Sequence, residues 1–125
     1  MDPDAHKELA RRLVDDVINA GKLATLDEVC TPGMADLARS WVEPFRRSFP
    51  DVHMDTVRML AEGDTVVGRF KCSATHAGDW RGHPPTGRRF EDVDEVYFFR
   101  VENGRIAEVW GLEDTVSRLR QLGLD

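Results

Sequence analysis

Three side chains near the end of the chain combine types and spacing suited to moving protons, Glu95, Tyr97 and Glu108, and Trp110 stands among them as an aromatic wall. Between them stands Asn103-Gly104, a pair that supplies the two positive φ angles of a tight type I′ turn. The turn predicts a hairpin of strands over 90–101 and 105–111, with Glu102 opposite Arg105. Phe99 then falls opposite Glu108 and Tyr97 opposite Trp110, so Glu95, Tyr97, Phe99, Glu108 and Trp110 share one face. On such a face Glu95 and Glu108 can act as acid/base groups or as partners of a buried His or Tyr, since an acid facing an apolar interior needs a partner. Tyr97 and Trp110 can clamp a planar polycyclic molecule while the phenol donates to an oxyanion. The plainer alternatives are a bulge between residues 90 and 96 that turns Glu95 out to water, and a structural hydrogen bond from Glu108 to a neighbouring strand. Asp92 and Asp94 fall on the solvated side.

The strands before the hairpin add further candidates. After Pro50 the pattern has period two: residues 52–61 and 65–76 read as strands around a turn at Glu62-Gly63-Asp64. In the second, Val66, Gly68, Phe70, Cys72, Ala74 and His76 form the buried face, which puts Phe70 among the substrate-binding candidates. His76, at its end, can shuttle a proton or bind a substrate carbonyl; otherwise it is a satisfied strand-end histidine. His83 lies in the Gly- and Pro-rich loop 78–87 and is placed with the lid of a binding site.

The elements that must position these groups begin with helices. Leu9, Leu13, Val17 and Ile18 have helical spacing after Asp2-Pro3-Asp4 and before Gly21. A short helix over 25–30 turns Leu26, Val29 and Cys30 inward, and Pro32-Gly33 ends it. In a third, Leu37, Trp41, Phe45 and Phe49 recur every four residues, with Pro44 a candidate kink. Trp41 and Phe45 would form the wall opposite the hairpin, although an aromatic ridge at helical spacing is ordinarily core. Residues 113–122 read as a closing helix with Val116, Leu119 and Leu122 inward and Gly123 as its stop. Helices followed by antiparallel strands give an α+β fold with helices on one face of a curved sheet.

Composition narrows the function classes. A chain of 125 residues is expected to form one domain over 1–125. Its formal net charge of −6 would repel nucleic acid. Cys30 and Cys72 form no C-x-x-C, which favours a reduced, cytoplasmic protein, and no stretch has the roughly 18 apolar residues of a membrane span. Phosphate-loop, dinucleotide, zinc-protease and serine-hydrolase signatures fail, and the four histidines lack ligand spacing; neither a metal nor a cofactor is expected.

Three stretches taken together resemble the SnoaL-like polyketide cyclase family, the ester cyclases of the nuclear-transport-factor-two superfold. They are Ser48-Phe49-Pro50-Asp51 with Glu62-Gly63-Asp64; Thr75-His76-Ala77-Gly78 running into Gly82-His83-Pro84-Pro85-Thr86-Gly87-Arg88-Arg89; and Asn103-Gly104-Arg105-Ile106 through Glu108, Trp110 and Asp114 to Gln121-Leu122-Gly123. Order and spacing match from about Phe49 onward, and the first helix fits the family's opening. Two departures stand out: Val109 occupies a position where members often carry His, and the segment around 31–38 is short. The resemblance implies a cone-shaped α+β barrel, three N-terminal helices on a mostly antiparallel sheet with a short C-terminal helix. It further implies a homodimer through the sheet and cofactor-free acid/base chemistry on a small polyketide-like substrate. Asp114 matches the acid that serves as general acid/base in the family's aldol cyclases, where desolvation at the mouth of a cone would raise its pKa; it also stands where it would cap the last helix. Cyclase or isomerase is the expected activity, with epoxide opening or non-catalytic ligand binding as alternatives on the same fold.

Overall fold

The computed structural model describes residues 2–124. Helix α1, Pro3–Arg12, is capped by Asp2, whose carboxylate accepts from the Asp4 amide at 2.9 Å, and it runs directly into a wider π-helical stretch, Leu13–Asn19. The extra residue per turn rotates Leu13, Val14, Val17 and Ile18 together onto the core side, where all four are buried. A single 3₁₀ turn and α2, Leu26–Val29, bring Leu26, Val29 and Cys30 inward as the sequence predicts.

Helix α3, Pro32–Ser48, starts at Thr31 and continues through Pro44 without breaking. Pro44 and Ser40, whose carbonyl loses its donor there, both lie on the exposed side of the helix. The expected ridge is corrected at one end: Leu37 is exposed, and the buried stripe is Met34, Ala35, Ala38 and Val42. Trp41 and Phe45 flank that stripe, half-buried, and Phe49 is fully buried just past the helix.

Four strands, β1 (His53–Glu62), β2 (Thr65–Thr75), β3 (Arg89–Glu102) and β4 (Arg105–Glu113), form an antiparallel sheet in chain order. The helices cover its inner face. The predicted inner face of β2 is buried from Val66 through Ala74, and so is His76 beyond its end. Asn103 and Gly104 take φ of 51° and 76°, the predicted type I′ turn. The fold is the expected α+β architecture, with an open sheet whose hollow is closed by helices rather than by further strands.

Two irregularities in strand pairing decide what faces that hollow. On β3 two residues, Glu91 and Asp92, stand against Ser73 alone, and Asp92 has a φ of 52°. This bulge switches the alternation, so that Phe90 and then Val93, Glu95, Tyr97 and Phe99 all point inward. On β4 the register slips between Arg100 and Val101, leaving Ala107 as the extra residue. Ile106 is buried before it; after it the inward positions are Val109, Gly111 and Glu113.

Helix α4, Thr115–Leu122, is capped by Asp114 and stopped by Gly123 at a φ of 73°. Its inward face differs from the predicted one: Val116 is exposed, whereas Arg118 and Leu122 are buried. Four-residue spacing back from Leu122 reaches Arg118, and two acids on the sheet draw it in.

Candidate active site

The inward-facing residues of β3 and β4, closed over by α3 and α4, place Glu95 at the floor of a hollow. Glu95 is 3 % exposed. Its two oxygens are occupied separately: the Tyr97 hydroxyl donates to Oε1 at 2.6 Å, and Arg118 Nη2 donates to Oε2 at 2.5 Å. Arg118, 1 % exposed, donates through Nη1 to Glu113 Oε1 at 2.8 Å. Glu95 and Glu113 are direct partners across the β3–β4 ladder, so the guanidinium bridges two carboxylates held side by side, with one charge-assisted hydrogen bond to each. Its carbon also lies 4.7 Å from the centre of the Phe90 ring and 5.5 Å from that of Phe45, a setting in which weakly hydrated guanidinium is tolerated.

Burial pushes the Glu95 carboxyl above its ordinary value, and the neighbouring Glu113 charge pushes it further, against the opposing pull of Arg118 and Tyr97. Tyr97 is driven up first by burial and then by Glu95 and Glu113, so its phenol stays protonated and remains a donor. Burial disfavours the charge of Arg118, but Glu95 and Glu113 outweigh it and the guanidinium is held charged. Cys72, also on the floor, is pushed up by burial and then by Glu95, which keeps it a neutral thiol rather than a nucleophile.

The hollow widens outward. Around Glu95, Tyr97, Cys72 and Met54 the free volume is about 40 Å³, room for about one water molecule. Above it a mouth of about 250 Å³ is lined by Trp41, Phe45, Tyr97, Val109, Gly111 and Glu113. Trp41 and Tyr97 lie nearly parallel, 9° apart with centroids 6.5 Å apart. Gly111 makes this possible, because a Cβ there would collide with the Tyr97 ring. Phe70 and Phe99 are buried beside Tyr97, at 5.9 and 6.2 Å between centroids, and form the wall behind it.

The other predicted residues fall elsewhere. The β4 bulge puts Glu108 and Trp110 on the outer face of the sheet, where Glu108 lies 3.9 Å from Arg100 and Trp110 packs edge-to-face on Phe98 at 5.5 Å. They do not share a face with Tyr97. Asp114 is exposed and accepts from the Ser117 amide at 3.1 Å; its carboxylate caps α4. His76 is fully buried but lines no part of the hollow. Its Nδ1 accepts from the Thr86 amide at 3.2 Å, and its ring packs against Phe49 and Trp80. His83 closes a turn with Trp80 through reciprocal backbone bonds of 3.0 and 2.8 Å. Arg118, Glu113 and Cys72 are the residues that sequence reasoning missed. The need of an inward acid for a buried cation was the one signal that pointed to Arg118.

Comparison with known proteins adds the lineage. The family model described as SnoaL-like polyketide cyclase matches residues 8–122. A nogalonic acid methyl ester cyclase of Streptomyces nogalater is 31% identical over 115 residues, spanning 88% of this chain and 83% of the relative. The aklanonic acid methyl ester cyclase DauD of Streptomyces sp. (strain C5) is 25% identical over 117 residues, spanning 93% of this chain and 70% of the relative. Among solved structures, TsrD from Streptomyces laurentii superposes with a TM-score of 0.84 at 26% identity, covering 100% of this chain and 99% of that one.

Proposed function

This chain belongs to the SnoaL-like polyketide cyclase family, and from that premise we propose that it is a cofactor-independent acid/base enzyme that closes a ring in a small polyketide-like molecule, with Glu95 as its proton-transfer group. The observation that carries the reading is a carboxyl held almost dry at the floor of an aromatic-walled hollow, its pKa raised by burial and by a second acid. A base poised nearer neutrality than an ordinary glutamate takes a proton from a carbon acid more effectively. In the proposed reaction Glu95 accepts a proton from the carbon next to a carbonyl. The enolate carbon then attacks a second carbonyl of the same molecule to form the carbon–carbon bond, and the resulting alkoxide recovers the proton from Glu95. Once Glu95 is neutral its hold on the Tyr97 hydroxyl weakens, and that donor turns to the enolate oxygen. Trp41 and Tyr97, near-parallel across the mouth, support a planar substrate. The relatives act on aklanonic and nogalonic acid methyl esters, so nogalonic acid methyl ester is the first probe. Glu95→Gln is expected to lower its turnover by about a hundredfold or more while circular dichroism stays native. Turnover equal to the unaltered protein would remove Glu95 from the reaction.

One arrangement favours a second reading. Two carboxylates on a single guanidinium are the parts for opening an epoxide, one activating water while the other protonates the departing oxygen. Reaction in ¹⁸O-labelled water separates the two, because hydration incorporates the label and ring closure does not.

The homodimer implied by the resemblance has a candidate surface on the outer face of the sheet, where Phe98, Trp110 and Leu112 are exposed side by side. Among the described residues no helix is long and apolar enough to cross a membrane. Cys30 and Cys72 are free and buried, which fits the cytoplasmic setting we infer.

A further inference from the structure

A second concavity, of about 590 Å³, lies between the C-terminal half of α3 and the loop after β2. It adjoins the mouth of the hollow, with Trp41 and Phe45 lining both. Its far wall is a tight turn. The Trp80 and His83 amides and carbonyls bond reciprocally, and the two residues between them, Arg81 and Gly82, have φ of 51° and 79°. These are type I′ angles, which favour Asn-Gly; Arg at the first position costs local stability. The turn is nevertheless fixed in place. The Ser48 hydroxyl donates to the Asp79 carbonyl at 2.5 Å, and the Ala77 and Gly78 amides both donate to the Ser48 carbonyl at 3.0 Å. Trp80 packs edge-on against Phe49 at 5.4 Å.

This construction presents a cation. The Arg81 guanidinium lies 5.2 Å over the Trp80 ring, and no ion pair holds it among the described residues. Arg47, on the same groove, has only Glu43 at 3.9 Å, both well exposed, a contact of little strength. The lining itself carries one acid, Asp79, against these two cations, and Glu43 beside Arg47 offsets part of that charge, so Arg81 is, among the described residues, the cation that the groove leaves without an ion pair. An arginine held at a positive φ without an ion pair, its guanidinium over a tryptophan ring beside the mouth of the site, is a group that a planar anion can meet.

We propose that this groove binds the far end of the substrate, and that this end is a flat conjugated segment bearing a carboxylate met by Arg81 and Arg47. The inference rests on the reading of the hollow as the reaction site, but its test reads binding alone. Charge-assisted hydrogen bonds from guanidinium to carboxylate provide the affinity, and stacking on Trp80 the orientation. The probe is anthraquinone-2-carboxylate, with anthraquinone-2-carboxamide as its neutral counterpart, titrated by calorimetry. Arg81→Asn is the informative variant because it restores the Asn-Gly pair that the turn prefers, so it cannot fail by unfolding the turn. Its melting temperature should equal or exceed that of the unaltered protein, while carboxylate affinity falls about tenfold or more and carboxamide affinity stays the same. Carboxylate affinity untouched by Arg81→Asn, equal weakening of both probes, or no saturable carboxylate binding to the unaltered protein would each overturn the proposal. Glu95→Gln should bind the carboxylate normally, so an error about the catalytic base leaves this test intact.

Discussion

Replacing Arg118 by Met tests whether the guanidinium is the counter-charge that allows Glu95 to sit at the floor. Met approximates the length of the aliphatic stem without a polar head, so the change removes the charge together with the guanidinium's contacts over Phe90 and Phe45. Glu95 would then be buried beside Glu113 with no cation between them. Removing one partner of a buried ion pair costs about 3–5 kcal/mol. For a chain of this size that corresponds to a fall in melting temperature of roughly 12–20 °C. The deficit must depend on pH in a fixed direction. Glu95 already has a native pKa above its ordinary 4.5, so between those two values the native state holds more protons than the unfolded one, and stability declines as pH rises. Loss of Arg118 removes a charge that opposes this shift and raises the native value further. The difference between variant and unaltered protein is therefore greatest above the variant's Glu95 pKa and shrinks as pH falls through it toward the native value of the unaltered protein. Asp51 and Asp94, held low by their own partners, titrate alike in both proteins and cancel. Urea unfolding followed by tryptophan fluorescence at pH 8 and pH 5 measures the two differences, and Glu95→Gln/Arg118→Met should regain most of the loss at pH 8. Equal stability of Arg118→Met and the unaltered protein at pH 8, or a deficit that does not change with pH, would refute the reasoning.

Gly111→Ala places a methyl group against the Tyr97 ring, which must swing away from Glu95. Turnover should fall about tenfold, the worth of roughly one hydrogen bond, and unchanged turnover would mean that Tyr97 has no part in the reaction. Asp114→Ala removes the α4 cap and should cost about 1 kcal/mol, seen as a drop of roughly 4 °C in melting temperature. Its turnover should change by no more than about twofold, since general-base loss is on the order of a hundredfold; a fall of that larger size would return Asp114 to the mechanism.

The elements were legible because each had a local cause. Asp2-Pro3 starts a helix whose apolar spacing is regular, Asn103-Gly104 fixes a hairpin, and the alternation from Val66 to His76 names the inner face of β2 without ambiguity, whereas Pro32-Gly33, read as the end of the short helix, opens α3 behind the Thr31 cap. Leu37 and Val116 were misplaced for a different reason. Helix α3 offers two apolar stripes, Leu37-Trp41-Phe45 and Met34-Ala38-Val42, whereas α4 offers one apolar stripe against one that carries Arg118, and in both the choice was made by partners distant in sequence. In α4 that partner is a pair of acids, which favour burying Arg118 over Val116.

The site was harder to read than the fold because it depends on parity, and parity is carried by single residues. Strict alternation through β3 can bury Phe90 or Glu95 but not both; the bulge at Asp92 allows both. The bulge weighed as the alternative that would turn Glu95 out to water is thus present, and Glu95 faces inward beside it. Strict alternation through β4 from Ile106 would bury Glu108 and Trp110; the extra residue Ala107 exchanges them for Val109 and Glu113. Gly111 is the one sequence sign of this second frame, since a glycine inside a strand marks a close approach, here by Tyr97. The two irregularities are coupled through Arg118. With β4 in the unslipped frame Glu113 would face outward, the guanidinium would meet Glu95 alone, and the upward push that Glu113 exerts on Glu95 would be lost. The second upward push on the proposed base therefore depends on one extra residue in a neighbouring strand. Deletion of Ala107 lets strict alternation from Ile106 reach Val109, Gly111 and Glu113 directly. The variant should thus keep Glu113 beside Glu95 and retain turnover of nogalonic acid methyl ester, and loss of that turnover with native circular dichroism would refute this account of the frame.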